Sequence, residues 1–222
     1  MKEIKRDFYL KQLIKKDGNS QIKIITGIRR CGKYYLLSEG VKEEHIVQDQ
    51  WIDFRRCRYQ FPNGEEFEPY YNYSRRSYSV IVARDEHGDF ICVQQYRHGL
   101  DKVTTEFPAG GIEATDNEYS KIKREDAFDC ARRELLEETG CMSNDWHHII
   151  TVPSYPTIAD IYAYCFFADR CKKVSDLNLD DTEDLEYIHL SQQELEERIE
   201  NGDFEQPVHI MAYMLVKDKY LR

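Results

Sequence analysis

The sequence has no run of about 18 apolar residues, so no membrane-spanning helix is expected. Its N-terminus has no apolar core segment either, so no signal peptide is read there. Positive charge is in deficit: 31 Lys and Arg face 41 Asp and Glu, a formal net charge of -10. That balance argues against nucleic acid as the main partner. No Cys-x-x-Cys pair occurs among the seven cysteines, and the seven histidines show no zinc spacing. Free thiols in a reducing cytoplasm are therefore expected, and zinc is not. Internal repeats and low-complexity tracts are also absent.

What is present is globular in character, with 222 residues, 41% hydrophobic and 13% aromatic. That suffices for one domain of ordinary size plus an extension. Residues 1–48 carry 11 Lys and Arg against 6 Asp and Glu, and the remainder 20 against 35. The contrast places a junction near residue 48.

Three carboxylates, Glu134, Glu137 and Glu138, stand at i, i+3 and i+4, between Arg133 and Gly140. On a helix these spacings share one face. Like charges so placed repel by about a few tenths of a kcal/mol per pair. Such a face is either solvated or neutralised by a hard cation, and Mg²⁺ takes oxygen ligands. Gly140 ends the helix where a left-handed residue is tolerated. Arg133 lies four residues before Glu137, an ion-pairing distance on a helix, and is expected to orient carboxylates rather than bind substrate.

These residues spell most of the Nudix box, G-x5-E-x7-R-E-U-x-E-E-x-G-U with U apolar, and the chain resembles a Nudix hydrolase. Glu125 lies eight before Arg133, as the box requires, and Cys141 fills its last position. The box glycine is displaced: Tyr119 stands where it should be, and Gly111 matches it only if residues 114–121 are an insertion of eight. Loops absorb such insertions at a cost that grows only logarithmically with length. The helix is expected over 125–139, with Phe128, Ala131 and Leu135, joined by Ala127 and Leu136, as its apolar stripe. The carboxylate face then points away from the core into a cleft.

Two further stretches, Gln95-Tyr96-Arg97 and Glu106-Phe107-Pro108-Ala109-Gly110-Gly111, resemble the ADP-ribose and ADP-sugar branch of that family. So does Pro156, sixteen residues after Gly140. The resemblance implies an α/β fold, the Nudix α/β/α sandwich, over residues 49–222, with residues 1–48 as an N-terminal extension. It implies Mg²⁺, with Mn²⁺ as the other cation, held by Glu134, Glu138, Glu137 as a shared ligand, and the backbone carbonyl of Ala109. Glu125 either orients these groups or is itself a ligand. Arg97 faces the substrate pyrophosphate, with Glu106 beside it; a surface ion pair is the other reading of Arg97. The acidic loop before a strand at 185–190 supplies the general base, Glu183 first and Asp181 second, unless the loop is simply solvated. ADP-ribose would yield AMP and ribose 5-phosphate in the cytoplasm, and the branch implies a homodimer. Other nucleoside diphosphate sugars or nucleotides are the rival substrates. A domain that senses ADP-ribose and regulates a partner is the rival function.

The rest of the chain reads from local signals. Residues 6–15 form a short amphipathic helix and 22–26 a strand. Gly27 to Lys33 is a G-x4-G-K loop, but Tyr34 stands where a phosphate-binding loop needs Ser or Thr for Mg²⁺. Residues 6–37 resemble the opening of a family of bacterial AAA-type ATPases. No second acidic motif follows, so the stretch is read as a vestige. Strands are expected at 51–61 and 66–73 around a turn at 62–65, at 78–83 and 90–95 around 85–89, at 146–153, 161–168 and 185–190. Residues 172–180 form a polar loop. Ser191 and Glu194 form a capping box for a helix over 192–201, stopped by Gly202. A last helix, 207–220, carries Val208, Met211, Ala212, Leu215 and Val216 on one stripe, with His209 structural.

Overall fold

The computed structural model describes residues 25–27, 34–36, 38–61, 64–115, 123–124, 126–179 and 184–221. The expected helix at 6–15, residues 28–33 of the glycine loop, Pro62, Asn63, Glu125, Asp181 and Glu183 lie outside them. In chain order the strands are β1 (Ile25–Gly27), β2 (Tyr34–Leu36), β3 (Ser38–Gln48), β4 (Asp53–Gln60), β5 (Glu66–Ser74), β6 (Tyr78–Asp85), β7 (Phe90–Arg97), β8 (Lys102–Glu106), β9 (Ala109–Gly111), β10 (Ala114–Thr115) and β11 (Lys123–Arg124). Then come helix α1 (Ala127–Thr139), β12 (Cys141–Met142), β13 (Asp145–Pro153), β14 (Tyr162–Lys173), β15 (Leu185–Leu190), α2 (Gln192–Asn201) and α3 (Pro207–Tyr220).

Contacts divide the chain into two compact units. One comprises the described residues up to His45 together with Arg55–Tyr71; the other comprises Ile46–Phe54 and Asn72–Arg222. In the first, Arg58 Nε meets Glu68 at 2.8 Å and Tyr59 packs edge-on to Tyr70. Strands β3, β4 and β5 form a three-stranded sheet in that order.

The second unit is built on an eight-stranded mixed sheet. Its main path runs β12-β14-β6-β7-β15, with β13 on β14, β8 on β7 and β9 on β6. β14 and β6 run parallel and the other pairs antiparallel. Side chains alternate across a strand, so β6 feeds two cores. Val80 and Val82 pack with Phe90, Cys92, Phe167 and the α3 residues Ala212, Tyr213 and Val216. Ile81 and Ala83 pack with Ile91, Phe166 and the α1 residues Ala131 and Leu135. Both faces of β6 are buried, which is why it reads as an unbroken apolar run. The result is the α/β/α sandwich, α1 on one face and α3 on the other.

Several local expectations differ from the structure in detail. On α3, Tyr213 is fully buried and Leu215 is 39% exposed, so the stripe turns by one position. On α1, Cys130 joins the buried face, Leu136 is half-buried and Phe128 is exposed. Ala114 and Thr115, expected in a loop, pair with Arg124 and Lys123 as a short hairpin ahead of α1. β14 runs to Lys173, so Lys172 and Lys173 are strand rather than loop. His209 is buried and its Nδ1 accepts the Phe107 N–H at 3.1 Å, which fits the structural reading. Its other ring nitrogen carries the proton, and burial lowers its pKa to about 4 against the raising pull of Glu106.

Candidate active site

Helix α1 sets the site. Asp126 caps its start by accepting the Phe128 N–H at 2.8 Å, and Gly140 closes it at φ 66, its N–H on the Leu136 carbonyl at 2.7 Å. Ala131 and Leu135 pin the helix to the sheet. Glu134 and Glu138 are themselves only 6% and 2% exposed. Two of the three carboxylates lie against strand β9, and Glu137 alone is half-buried.

Strand β9 receives them. Ile81 N–H reaches the Pro108 carbonyl at 2.9 Å and Ile112 N–H the Ser77 carbonyl at 2.8 Å. Antiparallel ladders alternate, so within the register Val80↔Ala109 and Tyr78↔Gly111 the backbone groups of Ala109 and Gly111 point away from β6. Ala109 N–H accordingly donates to Glu138 Oε2 at 3.1 Å, and Arg133 Nη2 donates to the Gly111 carbonyl at 3.2 Å. The Ala109 carbonyl points to the same side as its N–H, toward the carboxylates. Gly110 has no side chain because there is no room for one: a Cβ there would lie 2.0 Å from Glu134 Cδ.

Arg133 ties the group together. Its Nη1 lies 2.8 Å from both Glu134 Oε1 and Glu137 Oε2. Among the described residues no three His, Cys, Asp or Glu form a metal-holding group by themselves. The donors brought together are two buried carboxylates and a peptide carbonyl. This all-oxygen set fits a hard divalent cation that completes its shell with water.

Arg97, at the end of β7, forks onto Glu106 at the end of β8, Nε to Oε1 at 2.8 Å and Nη2 to Oε2 at 2.6 Å. Thr104 donates to the same carboxylate at 2.5 Å. Burial would raise the Glu106 pKa, but the hydrogen bonds and charge of Arg97, with Thr104, outweigh it and hold the group below the usual carboxylate range. The ion-pair reading of Arg97 thus describes its contact, with the partner wholly buried and the arginine about a third exposed.

The candidate bases Asp181 and Glu183 lie outside the described residues, but the loop leading to them is anchored. Asn178 N–H donates to the Glu137 carbonyl at 3.0 Å. Two participants escaped the sequence reading. Gly110 was visible only as one of a glycine pair, the usual signal of close backbone approach. Lys173, 34 positions from the carbonyl it meets, gave no local signal.

A family model described as NUDIX domain matches residues 74–208, well over half of the chain. The chain belongs to the NUDIX family. This Nudix chain is 29% identical over 154 residues to a protein of Bacillus methanolicus described as methanol dehydrogenase activator, covering 68% of this chain and 77% of that one. It is 25% identical over 169 residues to an ADP-ribose pyrophosphatase of Bacillus subtilis (strain 168), covering 76% and 86%. A solved structure described as an ADP compounds hydrolase shares the fold, with a TM-score of 0.68 at 20% identity over 81% of this chain and 92% of that one. The chain is a Nudix pyrophosphohydrolase, related at low identity to ADP-ribose pyrophosphatases. No described helix is long and apolar enough to cross a membrane.

Proposed function

We propose that this Nudix chain hydrolyses, with Mg²⁺ or Mn²⁺, a nucleoside diphosphate linked to a second moiety, and that ADP-ribose is its preferred substrate. The observation that carries the reading is the seat of Glu134 on Gly110, beside the bond from Ala109 to Glu138. It gathers hard oxygen donors where an anionic substrate needs a cation. Glu134, Glu138 and the Ala109 carbonyl would hold the ion, with Glu137 turned to it from Arg133. Bound there, the ion supplies charge cancellation and a more acidic water.

The protein's own groups do the rest. Arg133 orients Glu134 and Glu137. Glu106 holds the Arg97 guanidinium by two of its nitrogens, and a guanidinium so fixed suits phosphate oxygens. Glu106 acts through Arg97 rather than by touching substrate, because it is buried with both oxygens engaged. Glu183, or Asp181 in its place, takes the proton of the attacking water. Water oxygen joins one phosphorus, the bond from that phosphorus to the bridging oxygen breaks, and the bridging oxygen leaves on the other phosphate. ADP-ribose thus yields AMP and ribose 5-phosphate. Kinship with the Bacillus subtilis enzyme supports the substrate, and the buried thiols of Cys92, Cys141, Cys165 and Cys171, outside any disulfide, suit a reducing cytoplasm.

A regulatory role is the second reading, favoured by similarity to the protein described as an activator. Incubation with Mg²⁺ and ADP-ribose, ADP-glucose, GDP-mannose, NADH, an 8-oxo nucleotide or ATP separates the two. AMP released fastest from ADP-ribose supports hydrolysis. Binding of ADP-ribose without turnover of any member of the panel supports regulation.

A further inference from the structure

The C-terminal end of α1 is electrostatically awkward. Glu134, Glu137 and Glu138 crowd its last turns, where the helix dipole is negative, and no basic residue lies in the last turn. The missing cation arrives from another strand. Lys173, the last residue of β14, donates its Nζ to the Thr139 carbonyl at 2.9 Å. Thr139 directly follows Glu138, so this bond fixes the backbone at a candidate metal ligand.

The segment after Lys173 continues the same work. Val174 and Ser175 N–H groups reach the Gly140 carbonyl at 2.8 and 3.2 Å, and Asn178 N–H reaches the Glu137 carbonyl at 3.0 Å. Gly140 must be glycine for this approach: a Cβ there would stand 2.1 Å from the Ser175 carbonyl oxygen and 2.7 Å from Lys173 Nζ. Lys173 Nζ also sits 4.5 Å from the centre of the Tyr187 ring, within cation–π range. Tyr187 lies in β15, which resumes the chain after the acidic loop. One ammonium thus touches the end of the carboxylate helix, stands at the root of the loop, and meets the strand at the loop's far side.

We propose that Lys173 is a positioning residue for the phosphorus chemistry. It holds the end of α1, where Glu137 and Glu138 stand, in register with the segment at 174–178. The proposal rests on the hydrolytic reading of the site, and its effect would reach the chemical step rather than substrate binding. A misplacement of about 1 Å at a reacting group lowers rates on the order of 100-fold.

The test compares wild type, Lys173→Met, Lys173→Arg and Tyr187→Leu with ADP-ribose and Mg²⁺, and follows backbone amide exchange at Val174, Ser175 and Asn178. Lys173→Met is expected to lower kcat by about 10- to 100-fold while KM stays within about twofold, with much of kcat restored in Lys173→Arg. Its three amides should exchange faster than in wild type. A kcat within about threefold of wild type, or Lys173→Arg as slow as Lys173→Met, overturns the proposal. If Lys173→Met does not fold, Tyr187→Leu decides, since it keeps the hydrogen bond and removes only the ring: a kcat loss at constant KM supports the proposal, and wild-type kinetics overturn it. A wild type inactive on ADP-ribose defeats the hydrolytic reading instead. The amide exchange then judges the clamp, which fails if exchange in Lys173→Met matches wild type.

Discussion

Replacing Gly110 by alanine should separate activity from stability. The new Cβ would lie 2.0 Å from Glu134 Cδ and Oε1, and 2.3 Å from Oε2. Ordinary carbon contacts lie near 3.5 Å, so the carboxylate must retreat by about 1.5 Å. It can, because it is the far end of a flexible side chain, and an off-rotamer shift costs only about 0.5–1.5 kcal/mol. Gly110 has no left-handed φ to lose, so the melting temperature should fall by only a few degrees, about 1 kcal/mol of stability. Catalysis should suffer far more, because the oxygen that would face the cation has left its seat. A displacement of this size predicts a loss on the order of 100-fold or more in kcat, about 2.7 kcal/mol of barrier. The Mg²⁺ concentration for half-maximal rate should rise as well. AMP release under a Mg²⁺ titration, paired with a circular-dichroism melt, reads both quantities. A Gly110→Ala protein that keeps kcat within about threefold of wild type would refute the reasoning.

Gly140→Ala should behave differently, because there the Cβ meets the Ser175 carbonyl at 2.1 Å and the backbone sits at φ 66. Strain of this kind destabilises by about 1–3 kcal/mol before the clash is added, so urea unfolding should show stability and activity falling together. His209 predicts a pH dependence. Its pKa is lowered to about 4 in the folded protein against an ordinary 6.5, so the unfolded chain binds its proton first. Stability from this site is complete above pH 6.5 and lost as pH falls toward 4, by about 3 kcal/mol at 1.36 kcal/mol per pKa unit. Denaturant midpoints across that window should fall more steeply for wild type than for His209→Gln.

What the sequence made legible was whatever local chemistry specifies. The capping box of Ser191 and Glu194 placed α2, and the strand at 185–190 after the acidic loop and the helix at 207–220 also fell on their observed bounds. The spacing of Glu134, Glu137 and Glu138 placed three acids on one helix. What escaped depends on distant partners. β9 has the sequence Ala-Gly-Gly, with no strand propensity, and is a strand only because β6 pairs with it. The burial of Glu134 and Glu138 follows from that pairing, since β9 brings Gly110 and the Ala109 N–H against them. On α3 the 3.6-residue period permitted either Leu215 or Tyr213 inward, and the space between Phe90 and Phe107 selected the tyrosine. Lys173 caps a helix from another strand, a relation no window of sequence contains.

The central claim is that pyrophosphate hydrolysis takes place on the α1 carboxylates. Glu138→Gln tests it most directly, because a glutamine oxygen can still accept the Ala109 N–H while the negative charge is gone. AMP formation from ADP-ribose would be timed for both proteins under saturating Mg²⁺, with thermal melts alongside. Matching melts with a rate reduced on the order of 100-fold or more is the predicted result. Matching melts with a near-normal rate would place the chemistry elsewhere.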